Sequence, residues 1–162
     1  MKKLFLVRHA KAKTMDVFVK DIDRPLSRTG YEDAYRISKQ IIPIVSENIL
    51  FVSSPSVRTY STAAIFSDTL NKKHSSIKIV DRLYETGIDE YMDTISSVND
   101  DISSLLLFGH NPTIGELIFQ LSGTNHGDIA PGTVGYFEAD IARWQDITGM
   151  TSKLKGLFSP KT

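Results

Sequence analysis

Cysteine is absent from all 162 residues. That excludes disulfides, thiolate zinc sites, Cys-ligated iron–sulfur clusters and every thiol-nucleophile mechanism, cysteine-based phosphatases included. Net charge is absent as well, because nineteen basic residues balance nineteen acidic ones. No overall field then attracts nucleic acid or an anionic membrane, and the six Tyr are not arranged as a stacking platform for bases. Long apolar runs are missing too. Each stops after a few residues, against the roughly 20 that a spanning helix needs. The opening Met1-Lys2-Lys3-Leu4-Phe5-Leu6-Val7 starts like a signal peptide, but its apolar part ends at Arg8. A secretory core needs about 7–15 such residues. The expectation is a cytoplasmic protein with neither a nucleic-acid nor a membrane partner. No His-Glu-x-x-His pair, EF-hand loop or Gly-Lys-Thr phosphate loop occurs. No repeat or linker divides the chain, so residues 1–162 read as one domain, long enough to bury a core.

What is present is an alternation of short apolar runs with stretches of helical period. Residues 4–7 read as a buried strand. Ser27 offers an N-cap, and Tyr31, Ala34, Ile37, Ile41 and Ile44 follow at spacings of three and four. This predicts an amphipathic helix, bent or ended near Pro43. Residues 49–52 form a second strand, and Ser56 caps a second helix with Ala63, Phe66 and Leu70 inward. Residues 77–80 are a short third strand, and Met92, Ile95 and Val98 suggest a weak helix. Residues 105–108 are a fourth strand with no polar face. Pro112 suits the first turn of a helix carrying Ile114, Leu117, Ile118 and Leu121. Residues 133–139 and 153–158 read as two last strands, with Trp144 and Met150 expected to pack between them. The alternation predicts a three-layer α/β/α sandwich around a mostly parallel sheet of about six strands. Such sheets bind ligands beyond the carboxyl ends of their strands.

Strand one ends in Arg8-His9, and strand two ends in Ser53-Ser54-Pro55 with Arg58 just inside the next helix. Asp81, Arg82 and Glu85 follow strand three, and strand four ends in Gly109-His110-Asn111-Pro112. Taken singly, these are an ordinary surface pair, a solvated helix residue, a loop acid and a turn. Together they put two His, two or three Arg and one Glu on one rim. The other two His, His74 and His126, fall in a solvated loop and a turn. Phosphoryl transfer fits this set. Arg presents a planar fork of donors that matches phosphate oxygens and stays charged. Two Arg and a cationic His neutralise a transferring phosphoryl group without a metal. The start of the helix at Arg58 adds its dipole and free N–H groups. A neutral imidazole is a competent nucleophile near pH 7, provided its other nitrogen is held as N–H.

These residues resemble the histidine phosphatase superfamily, and most closely its short branch, the phosphohistidine phosphatases. Leu6-Val7-Arg8-His9-Ala10 resembles the family's opening Arg-His-Gly signature, and Asp23-Arg24-Pro25-Leu26 the segment before its first helix. Residues 53–63 resemble its Ser-Pro-x-x-Arg-x-x-x-Thr-Ala segment, Leu83-Tyr84-Glu85 its acid/base segment, and Gly109-His110-Asn111-Pro112 its second histidine motif. The five stand in the family's order and span most of the chain. The resemblance implies a phosphoglycerate mutase-like fold with His9 as nucleophile. Arg8, Arg58 and His110 would bind the phosphoryl oxygens, and Arg24 would line the same pocket. Glu85 would stand where larger members keep a proton donor. Water would hydrolyse the phosphohistidine intermediate, and neither a metal nor an organic cofactor is implied. Ala10 departs from the usual Gly, so the backbone there must be ordinary or slightly strained.

Substrate follows from size. Mutase and sugar-phosphatase members add insertions that cover the substrate, whereas the segments between motifs here are short. That implies a shallow site suited to phosphate presented on another protein. The leaving group points the same way, since imidazole (pKa about 6.5) departs far more readily than an alkoxide whose alcohol lies near water's roughly 15.7. The expectation is a phosphohistidine protein phosphatase. The alternatives are a small-molecule phosphomonoesterase of the same superfamily and a non-catalytic phosphate-binding module.

Overall fold

The side chains of the central strands alternate between two apolar faces, and this decides the layers. The computed structural model describes residues 1–160. In it β1 (Lys2–Arg8) sends Leu4 and Leu6 into one core and Phe5 and Val7 into the other. β4 (Ser104–Gly109) repeats the pattern with Leu105 and Leu107 opposite Leu106 and Phe108. A sheet apolar on both faces must be covered on both. The Leu4 face packs on α3 (Ile88–Ser96) and α4 (Thr113–Ser122) through Tyr91, Ile95, Ile114, Leu117 and Leu121. The Phe5 face packs on α1 (Arg28–Ile41) and α2 (Val57–Thr69) through Ala34, Ile37, Ile41, Ala63 and Phe66.

The remaining strands are β2 (Ile49–Ser53), β3 (Ile77–Ile79), β5 (Val134–Ala139) and β6 (Ser152–Phe158). The order across the sheet is β3-β2-β4-β1-β5-β6, with β5 antiparallel to both neighbours and the other pairs parallel. The carboxyl ends of β1, β2 and β4 therefore share one edge. The register pairs Arg8 with Gly109 and Ser53 with Phe108. The ladder runs one step further. His9 N–H donates to the Gly109 carbonyl (3.0 Å), and Ser54 N–H donates to that of Phe108 (3.1 Å).

Both expected N-caps form: Ser27 Oγ accepts from Gly30 N–H at 3.1 Å and Ser56 Oγ from Thr59 N–H at 3.3 Å. Some expectations need correction. Tyr31 is exposed, and Gly30 takes the inward position instead, because a Cβ there would overlap the Lys11 carbonyl. Met150 is exposed at the tip of the β5–β6 connection, whereas Trp144 is buried and donates its indole N–H to the Ile102 carbonyl (3.0 Å). Pro112 sits at the N-cap of α4, one position before the first turn. The weak helix ends at Ser96, so Val98 lies beyond it.

Candidate active site

His9 and His110 face one another where β1 and β4 end, with ring centroids 5.4 Å apart. His9 is only 8% exposed. Its Nδ1 lies 2.7 Å from the Ala10 carbonyl oxygen. That oxygen can only accept, so Nδ1 carries the proton and Nε2 keeps its lone pair. Ala10 itself is buried, its N–H donates to Thr62 Oγ1 (3.0 Å), and its φ is not positive. The backbone at this position is therefore one that Ala adopts without strain. Arg8 is anchored by donating from Nη1 to the Ile129 carbonyl (2.6 Å).

Arg58, 5% exposed, enters from the first turn of α2. It donates through Nη1 to the Asp21 carbonyl (2.7 Å) and through Nη2 to Asp21 Oδ2 (3.0 Å). Nη2 also approaches His110 Nδ1 at 3.5 Å. A guanidinium only donates, so Nδ1 is the accepting nitrogen and Nε2–H is given to Ser54 Oγ at 2.8 Å. Arg24 reaches the group through Asp21, donating from Nη2 to Oδ1 (3.0 Å), and its Nη1 is tied to the Lys13 carbonyl. Tyr84 donates its hydroxyl to Asp21 Oδ2 (2.5 Å) and packs edge-on against His110.

Charge follows from burial. Desolvation pushes His9 down to about 3, helped by His110, Arg58 and Arg8 and opposed by the Ala10 hydrogen bond. Desolvation and then Arg58 bring His110 to about 4. The cationic His expected in the cradle is thus neutral near pH 7, and the positive charge rests on the arginines. Asp21 is held at about 2, chiefly by the hydroxyl of Tyr84 and then by Arg58 and Arg24. Tyr84 is raised to about 12 by burial and by its bond to Asp21.

A cleft of about 410 Å³ adjoins the cradle, lined by Asp21, Arg58, Tyr84, Glu85, His110 and Glu116 among others. Glu85 reaches it from a left-handed backbone (φ 55°), is exposed, and makes no hydrogen bond or ion pair among the described residues. Arg82, the optional third arginine of the sequence reading, is exposed and pairs with Glu90 at 3.7 Å, away from the cleft lining. His74 pairs with Asp68 (2.7 Å) and His126 is exposed. Asp21 was missed by the sequence reading. The one local signal for it is its i,i+3 spacing to Arg24, since Arg58 lies 37 positions away.

The model of the histidine phosphatase superfamily (branch 1) matches residues 4–123. A chloroplastic protein of Arabidopsis thaliana described as uncharacterized is 26% identical over 171 residues, covering 98% of this chain and 78% of the relative. Among solved structures, a candidate phosphohistidine phosphatase SixA from Nakamurella multipartitia superposes with a TM-score of 0.83. It is 24% identical, over 99% of this chain and 97% of that one. The protein histidine phosphatase SixA complexed with tungstate gives 0.78 at 20% identity, over 98% and 97%. The two structures share the fold, while the family match spans all five motifs and the two facing histidines with their arginines. The chain belongs to the histidine phosphatase superfamily (branch 1), and with it to the phosphatases.

Proposed function

We propose that this phosphatase hydrolyses phosphohistidine carried on another protein, through a covalent intermediate on His9 and without a metal. His9 Nε2 attacks phosphorus, the bond from phosphorus to the substrate's imidazole nitrogen breaks, and that imidazole leaves. Water then attacks the phosphoryl group on His9. Its oxygen forms the new bond, its two protons stay on orthophosphate, and the His9 nitrogen–phosphorus bond breaks. Arg8 and Arg58 offset the oxygens' charge throughout. His110 spends its Nδ1 lone pair on Arg58. When the anionic phosphoryl group binds, it favours uptake of one solvent proton at Nδ1, which gives up the Arg58 contact and donates that N–H to a phosphoryl oxygen.

One observation carries the choice of substrate: among the described residues, none of the acidic side chains that line the cleft is held as a proton donor. Glu85 is exposed and unbonded. Asp21 is locked as a carboxylate, and the Tyr84 proton is committed to it. An alkoxide needs general-acid help that typically contributes about 10²–10⁴-fold, whereas an imidazole does not. A phosphohistidine-bearing protein domain, a phosphoramidate and a panel of sugar phosphates are to be compared under rapid quench. The reading expects acid-labile phosphate on His9 and faster turnover of the nitrogen-linked substrates. Faster turnover of sugar phosphates would return the site to the phosphomonoesterases, and an active His9→Ala variant would remove the intermediate.

A further inference from the structure

We infer that Asp21 reads the leaving group: its carboxylate accepts a hydrogen bond from the far nitrogen of the substrate's imidazole, selecting phosphohistidine over phosphate esters. This rests on the function proposed above and adds the residue that sets its substrate class.

The reaction exchanges a phosphoryl group between two imidazoles, and each ring leaves as a neutral molecule only if its far nitrogen keeps a proton. On the enzyme's side the device is visible. The Ala10 carbonyl sits 2.7 Å from His9 Nδ1 and holds that proton. Phospho-His9 is therefore an imidazolium, and water displaces a neutral ring from it. The substrate's imidazole, on the opposite side of phosphorus, needs an equivalent acceptor. Asp21 is the acceptor tied to the cradle. Its Oδ2 accepts from Arg58 Nη2 and from Tyr84, while Oδ1 accepts from Arg24 alone. A carboxylate oxygen takes two such bonds, so Oδ1 has one to spare. The side chain is 35% exposed and lines the cleft. Glu85 and Glu116 line the same cleft but are not bonded to the arginines of the cradle. With three carboxylates on its wall, the cleft favours a cationic ring bearing N–H and repels an anionic leaving group. In the transfer step the substrate's phosphorus–nitrogen bond breaks, its electron pair returns to that nitrogen, and the far N–H stays bonded to Oδ1.

The test is Asp21→Asn, measured on phosphoimidazole and on p-nitrophenyl phosphate. The ratio of their kcat/KM values is expected to fall about 10- to 100-fold, the range of a hydrogen bond to a charged group. The alkaline limb of kcat for phosphoimidazole is expected to move to lower pH, because the bound imidazolium loses its counter-charge. Inhibition by orthophosphate reports whether the cradle survives, and it is expected to tighten once a negative charge is gone. An equal fall on both substrates, or lost phosphate inhibition, overturns the inference and makes Asp21 a prop for Arg58. A ratio that falls in Glu85→Gln instead of Asp21→Asn also overturns it. If the wild-type enzyme turns over esters but neither phosphoimidazole nor phosphohistidine, the function itself fails, and that result is read before any variant is made.

Discussion

Acid should destabilise this protein through His9, and the size of the effect follows from its burial. In the unfolded chain an imidazole titrates near 6.5. In the folded protein desolvation, aided by His110, Arg58 and Arg8, holds His9 at about 3. A group whose folded pKa is depressed binds its proton first in the unfolded state. Its contribution is complete above pH 6.5 and falls by about 1.4 kcal/mol per pH unit down to about pH 3. From pH 7 to pH 5, His9 should therefore remove about 2 kcal/mol. His110, at about 4, removes a similar amount over the same interval. Asp21, held at about 2, weakens the fold only below its ordinary value of 3.8. The perturbation is His9→Asn, which keeps a polar side chain but does not titrate. Urea unfolding of both proteins at pH 7 and pH 5 gives the comparison. The wild-type loss should exceed that of the variant by about 2 kcal/mol. Equal losses would mean that His9 is protonated normally in the folded state. The neutral nucleophile would then lose its support.

Other consequences are sharp enough to measure. Replacing His9 by Ala should lower kcat by at least about 10³-fold and abolish the acid-labile label, as loss of a nucleophile does. Arg58→Lys keeps the charge but loses the fork that spans Asp21 and the cradle, so kcat/KM should fall about 10²–10³-fold in steady-state assays. Glu85→Gln should cost less than about 10-fold on phosphohistidine, and a loss above about 100-fold would make Glu85 the proton donor after all. A Cβ at Gly109 would overlap Tyr91 Oη and lie 2.5 Å from its Cε1. Tyr91 accepts from the His110 N–H (3.3 Å) and donates to the Leu83 carbonyl (2.9 Å). Gly109→Ala should therefore cost about 1–3 kcal/mol in denaturant unfolding and lower activity together with stability.

The amino-acid sequence by itself determined what depends on neighbours along the chain. Leu105 to Phe108, apolar at every position and too short a run for a helix, reads as a strand buried on both faces, and that calls for helices above and below. Ser27 and Ser56 announce helix starts through hydrogen bonds that close within three residues. His9, Arg58 and His110 could be placed together because parallel strands bring their carboxyl ends to one edge. The tertiary structure alone decided how those groups are paired and charged. Asp21 meets Arg58 across 37 positions, and the meeting depends on a loop whose path no local periodicity encodes. Glu85 was legible as an acid near the site, but its exposure was not. The neutrality of His9 and His110 comes from the water that packing removes around them, and desolvation is a property of the folded volume and not of any segment.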